Sequence, residues 1–122
     1  MAAHNELGKQ GEKTATDFLL SKGYKIRHRN WKSGKYELDI VAEKDNILVV
    51  IEVKTRSTNL FGSPEEFVDK GKIKRTMNAA HHYIQIHNSQ LETRFDIISV
   101  LKNPNEKCNI EHIEDAFVAW QC

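Results

Sequence analysis

Apolar positions recur along the chain with two different periods, and the changes of period mark out the elements. From Asn5 to Ser21, Leu7, Gly11, Ala15, Phe18 and Leu19 fall on one stripe at helical spacing. Asn5 is placed to cap the start of this helix and Gly23 to end it. The period then shortens to two. YKIRHRNW (24–31), YELDIVAE (36–43) and ILVVIEVKT (47–55) read as strands, punctuated by Ser33-Gly34-Lys35 and by Asp45-Asn46. Past a loop, RSTNLFG (56–62), Ser63, Pro64 and Glu66 form a helix-start signature. Gly71 marks a break before a longer helix through Met77, Ala80 and Ile84. RFDIISVL (94–101) and NIEHIEDAF (109–117) supply two further strands, followed by a tail with Trp120. The order α-β-β-β-α-β-β predicts an α/β fold, a mixed five-stranded sheet flanked by helices, whose first three strands form a meander. At 122 residues the whole chain, 1–122, fits one domain.

The second and third strands carry charges that an apolar ribbon does not ask for. With Asp45 and Asn46 as the centre of a tight turn, Lys44 pairs with Ile47, Asp39 faces Glu52 and Glu37 faces Lys54. Alternation then puts Glu37, Asp39, Glu52 and Lys54 on one face. Leu38, Ile40, Ala42, Ile47, Val49, Ile51 and Val53 occupy the other. Facing residues have Cβ atoms roughly 4.5 to 5.5 Å apart. Two carboxylates at that separation can share one hard cation; without it they repel, and one tends to take up a proton. Lys54 stands beside such a cation without needing to ligate it, an arrangement suited to phosphodiester hydrolysis. Glu12, at the border of the first helix's apolar stripe, can lean toward the same place. Gly8 and Gly11 beside it each cost about 1 kcal/mol of helix stability, which a close approach of backbone or phosphate, or an ordinary helix crossing, accounts for. The same charges also suit a solvent-facing sheet with Glu37–Lys54 and Asp39–Arg56 salt bridges. Against that reading, ILVVI is too apolar for a surface ribbon.

Net charge is only +1, but it is unevenly spread. Residues 22–36 carry six Lys and Arg and no acid, residues 70–75 carry four more, and 106–115 is mostly acidic. Arg27, Arg29, Lys32 and Lys35, with Arg56, Lys70, Lys72, Lys74 and Arg75, are candidate phosphate contacts, a face suited to nucleic acid. Contacts of this kind do not read sequence, so a structure-directed partner is favoured. Trp31 and Tyr36 either stack on unpaired bases or belong to the core. His81 and His82 are adjacent on a helix, face different ways and make a poor metal pair. Cys108 and Cys122 form no CxxC pair, so a reducing cytoplasm is expected. No apolar run approaches the ~20 residues of a membrane span, and a soluble, unexported protein is expected.

Glu12 on a first helix, Asp39, and E-V-K at 52–54 resemble the PD-(D/E)xK nuclease superfamily. More closely, GKQGEKTATDFLLSKGY, Arg29-Asn30, ELDIVA, VVIEVKTRS, FGSPEE, Lys70, an AA-x-x-Y helix and RFDIISV resemble the YraN family. These are small predicted bacterial endonucleases similar to archaeal Holliday junction resolvases. The resemblance covers Leu7 to Phe117. It implies a restriction-endonuclease-like core with Mg2+ or Mn2+ held by Asp39, Glu52 and the Val53 backbone carbonyl. It also implies Lys54 as a catalytic lysine, Glu12 as an accessory catalytic acid and Glu37 as a further accessory acid. The implied function is structure-directed DNA cleavage, on branched or otherwise structured DNA, in recombination or repair. Two symmetric cuts need two sites, which suggests a homodimer. One departure stands out: Tyr36 occupies the place of a glycine before Glu37. The alternatives are a non-catalytic nucleic-acid-binding module on the same scaffold and a protein-interaction domain with an ion-paired sheet face.

Overall fold

In the computed structural model, residues 2–56, 70–102 and 108–117 are described, those of 2–7 without their side chains. The helix start at Ser63, Pro64 and Glu66, residues 57–62 of the expected loop, and the tail with Trp120 and Cys122 lie outside the described residues. The elements are α1 (Ala2–Ser21), β1 (Lys25–Ser33), β2 (Tyr36–Lys44), β3 (Ile47–Arg56), α2 (Lys70–His87), β4 (Glu92–Leu101) and β5 (Asn109–Ile113). The sheet runs in sequence order, β1-β2-β3-β4-β5. Among the described strands only the β3–β4 pair is parallel, with α2 in the connection that joins them. The mixed five-stranded α/β architecture and its meander are as the pattern predicts.

Element ends depart from expectation in several places, β4 for one starting at Glu92 and not Arg94, and four of the departures have a local reason. The first helix starts at Ala2, ahead of Asn5, because Ala2 and Ala3 are strong helix formers and no breaker precedes Asn5. β1 continues to Ser33, which pairs with Tyr36 and leaves a two-residue turn in which Gly34 takes φ 59°. β3 extends to Arg56, held by its parallel partner Leu101. β5 stops at Ile113, not Phe117: Asp115 takes φ 53°, its N–H donates to Asp96 Oδ1 at 3.1 Å, and the Ala116 N–H donates to the Phe95 carbonyl at 2.8 Å. Gly23 ends α1 as expected. At φ 88° it closes a Schellman motif, with Gly23 N–H on Leu20 O at 3.1 Å and Tyr24 N–H on Leu19 O at 3.0 Å.

The sheet is covered on both faces. Ile40, Ala42, Val49, Ile51, Ile98 and Val100 pack under Ala15 and Leu19 of α1. Val41, Leu48 and Val50 pack under Ala79, Ala80 and Tyr83 of α2. Burial from both sides is why ILVVI is an unbroken apolar run instead of an alternating one. Among the described residues no helix is long and apolar enough to cross a membrane.

At Gly11 α1 approaches β3 closely. A Cβ there would overlap the Thr55 side chain, only 2.8 Å from the Thr55 Cβ and colliding with its Oγ1. Helix crossing is therefore what Gly11 serves, and the next residue, Glu12, lies near enough to Asp39 to feel its charge. Gly8 faces open space, and packing does not explain it. Gly11→Ala is expected to destabilise the protein by about 1–3 kcal/mol through overpacking. In urea denaturation the Gly11→Ala/Thr55→Gly double variant is expected to be more stable than the sum of the two single changes. Simple additivity would contradict the close crossing.

Candidate functional site

Asp45 and Asn46 take φ values of 54° and 63°, the pair of positive values that a two-residue type I′ turn demands. From this turn the expected register holds through five positions, Lys44↔Ile47 to Ile40↔Ile51. It then ends, one position short of Asp39 and Glu52. The strands part because β2 changes phase there. Ile40 lies under α1, whereas Leu38 lies with Trp31 on the α2 side, although strict alternation puts Leu38 and Ile40 on one face. The change falls at Asp39 and its β1 neighbour Asn30, which takes φ 50°; pairing resumes on either side as Arg29↔Ile40 and Trp31↔Leu38.

The phase change directs the Asp39 carboxylate along the sheet into the gap. There Oδ2 accepts the Val53 N–H at 2.9 Å, in place of a backbone partner on β2. Two expectations are corrected by this. Leu38 does not share the face of Ile40, and the Glu37–Lys54 pair is not formed, because the ladder has already ended. Asp39 and Glu52 do come together, at a fork between strands and not as a ladder pair.

The electrostatics of the fork are unfavourable to charge. Glu52 is buried, its side chain only 8% exposed. Burial first, and the neighbouring Asp39 second, push its carboxyl up to about 7, against the pull of Lys72 and Lys54. Asp39 is also raised, by burial, despite the Val53 N–H, Lys72 and a hydrogen bond with Glu52. Lys72 reaches in from α2, with Nζ 3.3 Å from Glu52 Oε2. On the α1 side Glu12 is half-buried and raised by burial and by Asp39, with Arg29 and Lys32 acting in the opposite direction. Lys54 is half-buried two residues beyond Glu52, on the same strand.

A second buried carboxylate shows what a satisfied one looks like here. Asp96 on β4 is fully buried. It accepts Arg94 Nε and Nη2, both at 2.9 Å, pairs with His112 Nε2 at 2.7 Å, and takes the Asp115 N–H. Burial acts to raise its carboxyl, but His112, Arg94 and the Asp115 N–H together hold it below the usual carboxylate range. Among the described residues two carboxylate sites are thus withdrawn from solvent, one fully compensated and one whose carboxyls stay raised despite Lys72. The second is the candidate site.

Of the other predicted residues, Arg29 and Lys32 lie near Glu12, and Lys35, Glu37, Lys72 and Arg75 line one cavity beside the fork. Lys70 and Lys74 are exposed on α2. Arg27 does not join them: it pairs with Glu43 at 2.9 Å, toward the hairpin end of the sheet. Arg56 is half-buried at the end of β3, its carbonyl accepting the Lys102 N–H at 2.8 Å. Trp31 packs edge-on against Tyr83, with centroids 5.1 Å apart, and Tyr36 lies 4.7 Å from the His82 ring. His82 itself bonds Ser33 Oγ at 3.0 Å, which explains its place better than helix polarity does. Among the described residues no group of three or more His, Cys, Asp or Glu side chains could hold a metal ion. The sequence reading missed the Lys72–Glu52 ion pair and the Asp96 cluster. Arg94 and Asp96, two apart on a strand, carried a signal for the latter; His112 and the reach of Lys72 carried none.

The model of "Uncharacterised protein family UPF0102" matches residues 11–100. A "UPF0102 protein" of Bacteroides thetaiotaomicron is 55% identical over 117 residues, covering 96% of each chain. "UPF0102 protein FP2501" of Flavobacterium psychrophilum is 51% identical, covering 96% of this chain and 98% of its own. Among solved structures, Hjc of Archaeoglobus fulgidus, a Holliday junction resolvase, is similar over 84% of this chain and 74% of its own, with 17% identity and a TM-score of 0.45.

The raised carboxyl of Glu52 makes stability depend on pH with a definite sign. Between the ordinary glutamate value of 4.5 and about 7 the folded state holds a proton that the unfolded state has released. That contribution is fully present below 4.5 and is lost as pH rises through 7. Chemical denaturation with chelator present is expected to show the parent protein losing stability relative to Glu52→Gln between about pH 5 and about pH 8. Parallel pH profiles for the two proteins would contradict the buried pair.

Proposed function

The chain belongs to the UPF0102 family, and we propose that it hydrolyses phosphodiester bonds of structured DNA with the help of a divalent cation, in recombination or repair. One observation carries this reading: at the fork half-buried Asp39 and buried Glu52 both have raised carboxyls in spite of Lys72, whereas the carboxyl of Asp96, more deeply buried, is held low by its partners. The donor chemistry fits a hard cation, since both groups offer carboxylate oxygens in a site where their own charges are opposed. Asp39 and Glu52 would hold Mg2+ or Mn2+ together with the Val53 carbonyl. A strand residue that pairs on one side offers its N–H and C=O to the same neighbour, so the Val53 carbonyl shares the side on which its N–H meets Asp39. Such an ion supplies polarisation of the phosphoryl oxygen and a water of lowered pKa.

The chain's own residues do the rest. The Val53 N–H fixes the Asp39 carboxylate in the gap. Lys54 stabilises negative charge developing on the phosphate, and Glu12 acts as an accessory acid flanked by Arg29 and Lys32. Arg29, Lys32, Lys35, Lys70, Lys74 and Arg75 contact phosphates without reading bases.

A second reading has its own observation. Lys72 already gives Glu52 a counter-charge at 3.3 Å, as a module that binds nucleic acid without cutting it would need. Incubation of linear, flapped and four-way DNA with Mn2+ separates the two. Cleavage is expected, and Asp39→Asn and Lys54→Ala are expected to lower it by about 10²-fold or more with the fold retained. Undiminished cutting by either variant would overturn the assignment. Salt-sensitive binding with no cutting of any substrate would favour the second reading.

A further inference from the structure

Beside the fork, α2 and the start of β2 enclose a cavity of about 330 Å3. Lys35, Tyr36, Glu37, Lys72, Arg75 and Asn78 contribute to its walls. Its volume is at the lower end of the ~300–1,000 Å3 range of small-molecule sites, room for one compact ligand. Among the described residues Lys35, Lys72 and Arg75 stand against Glu37 in these walls, and even with Lys72 also facing Glu52 the balance is positive, which suits an anion. One wall carries the Tyr36 ring. Tyr36 is backed by the His82 ring at 4.7 Å, and Lys35 Nζ lies 5.5 Å from the Tyr36 ring centre. The Tyr36 ring, held by His82 and with the flexible Lys35 side chain over it, can receive a flat group where that side chain gives way. Glu37 and Asn78 add an acceptor and an amide that can pair with the edge of such a group. A flat, edge-bonding group joined to an anion is a nucleotide.

Lys72 ties this cavity to the fork, because the same side chain lines the cavity and pairs with Glu52. A phosphate held by Lys72 and Arg75 is therefore next to the carboxylate pair. A base stacked inside a duplex cannot enter the cavity; one that is already unpaired enters at the least cost. We propose that this cavity is the subsite for a single unpaired nucleotide adjoining the bond to be cut, its phosphate between Lys72 and Arg75 and its base against Tyr36. The subsite explains why Tyr36 stands before Glu37: the tyrosine supplies the platform. It rests on the phosphodiester reading above and names the feature of structured DNA to which that site responds.

The test compares two duplexes, identical except for a single-nucleotide bulge, by fluorescence anisotropy without divalent ions. The protein is expected to bind the bulged duplex about tenfold more tightly, the scale of one base stacked on an aromatic ring. Tyr36→Ala and Arg75→Gln are expected to bring the preference close to unity, and Tyr36→Phe to retain it. Arg75 is exposed, so its variant carries the test even if Tyr36→Ala weakens the packing on His82. Equal affinity of the parent protein for both duplexes, or a preference that survives in Arg75→Gln, would overturn the proposal. Deoxyadenosine monophosphate forms a second arm and is expected to compete only weakly. Tighter binding of the free nucleotide than of the bulged duplex would also overturn it, making the cavity a site for a soluble ligand. Cleavage without bulge preference would sink the subsite alone, and bulge preference without cleavage would sink the hydrolytic reading alone.

Discussion

One hydrogen bond organises the candidate site, from the Val53 N–H to the Asp39 carboxylate at 2.9 Å. In an unbroken antiparallel ladder that N–H would meet a backbone carbonyl of β2. Here β2 has changed phase and left β3, and a side chain takes the vacated place. A buried N–H without a partner is costly, so the fork is tolerable only with an acceptor at position 39. The same bond turns a carboxylate into the gap, where burial and Glu52 both oppose its charge. Strand pairing and site chemistry thus depend on a single residue.

The two helices bring different groups to this gap from opposite faces. α1 can cross close to β3 because Gly11 has no side chain to meet Thr55, and the next residue is Glu12. α2 covers Val41, Leu48 and Val50 and sends Lys72 to Glu52. Elsewhere in the sheet the same kind of charge has been settled locally. Arg94, His112 and the Asp115 N–H surround Asp96 and hold β5 and the turn after it against β4. A buried carboxylate with that many donors supports the structure and leaves no valence for a ligand. The fork keeps its deficit, and the cations of β1 and α2 stand around it.

Much of this was legible in the sequence. The hairpin register followed from Asp45-Asn46 and from alternation, both local rules, and residues 40–44 and 47–51 obey them. Glu12, Asp39, Glu52 and Lys54 were picked out as charges placed against an apolar pattern. The fork was not legible. Strict alternation carried Leu38 to the wrong face because a phase change needs a residue that accepts positive φ on the neighbouring strand, and Asn30 looked like any other strand residue. Lys72 was read as a phosphate contact because helix position alone does not reveal which side chain reaches a buried partner. The end of β5 was misplaced for a similar reason, since Asp115 turns the chain to meet Asp96, a partner remote in sequence.

Asp39 and Glu52 share a gap, shielded from solvent, in which both cannot comfortably ionise. Side-chain carboxyl carbon shifts, followed by NMR through a pH titration of the metal-free protein, test it most directly. A Glu52 midpoint near 7 that falls markedly in Asp39→Asn is expected. A Glu52 midpoint at the ordinary glutamate value of 4.5, indifferent to Asp39, would be the opposite result.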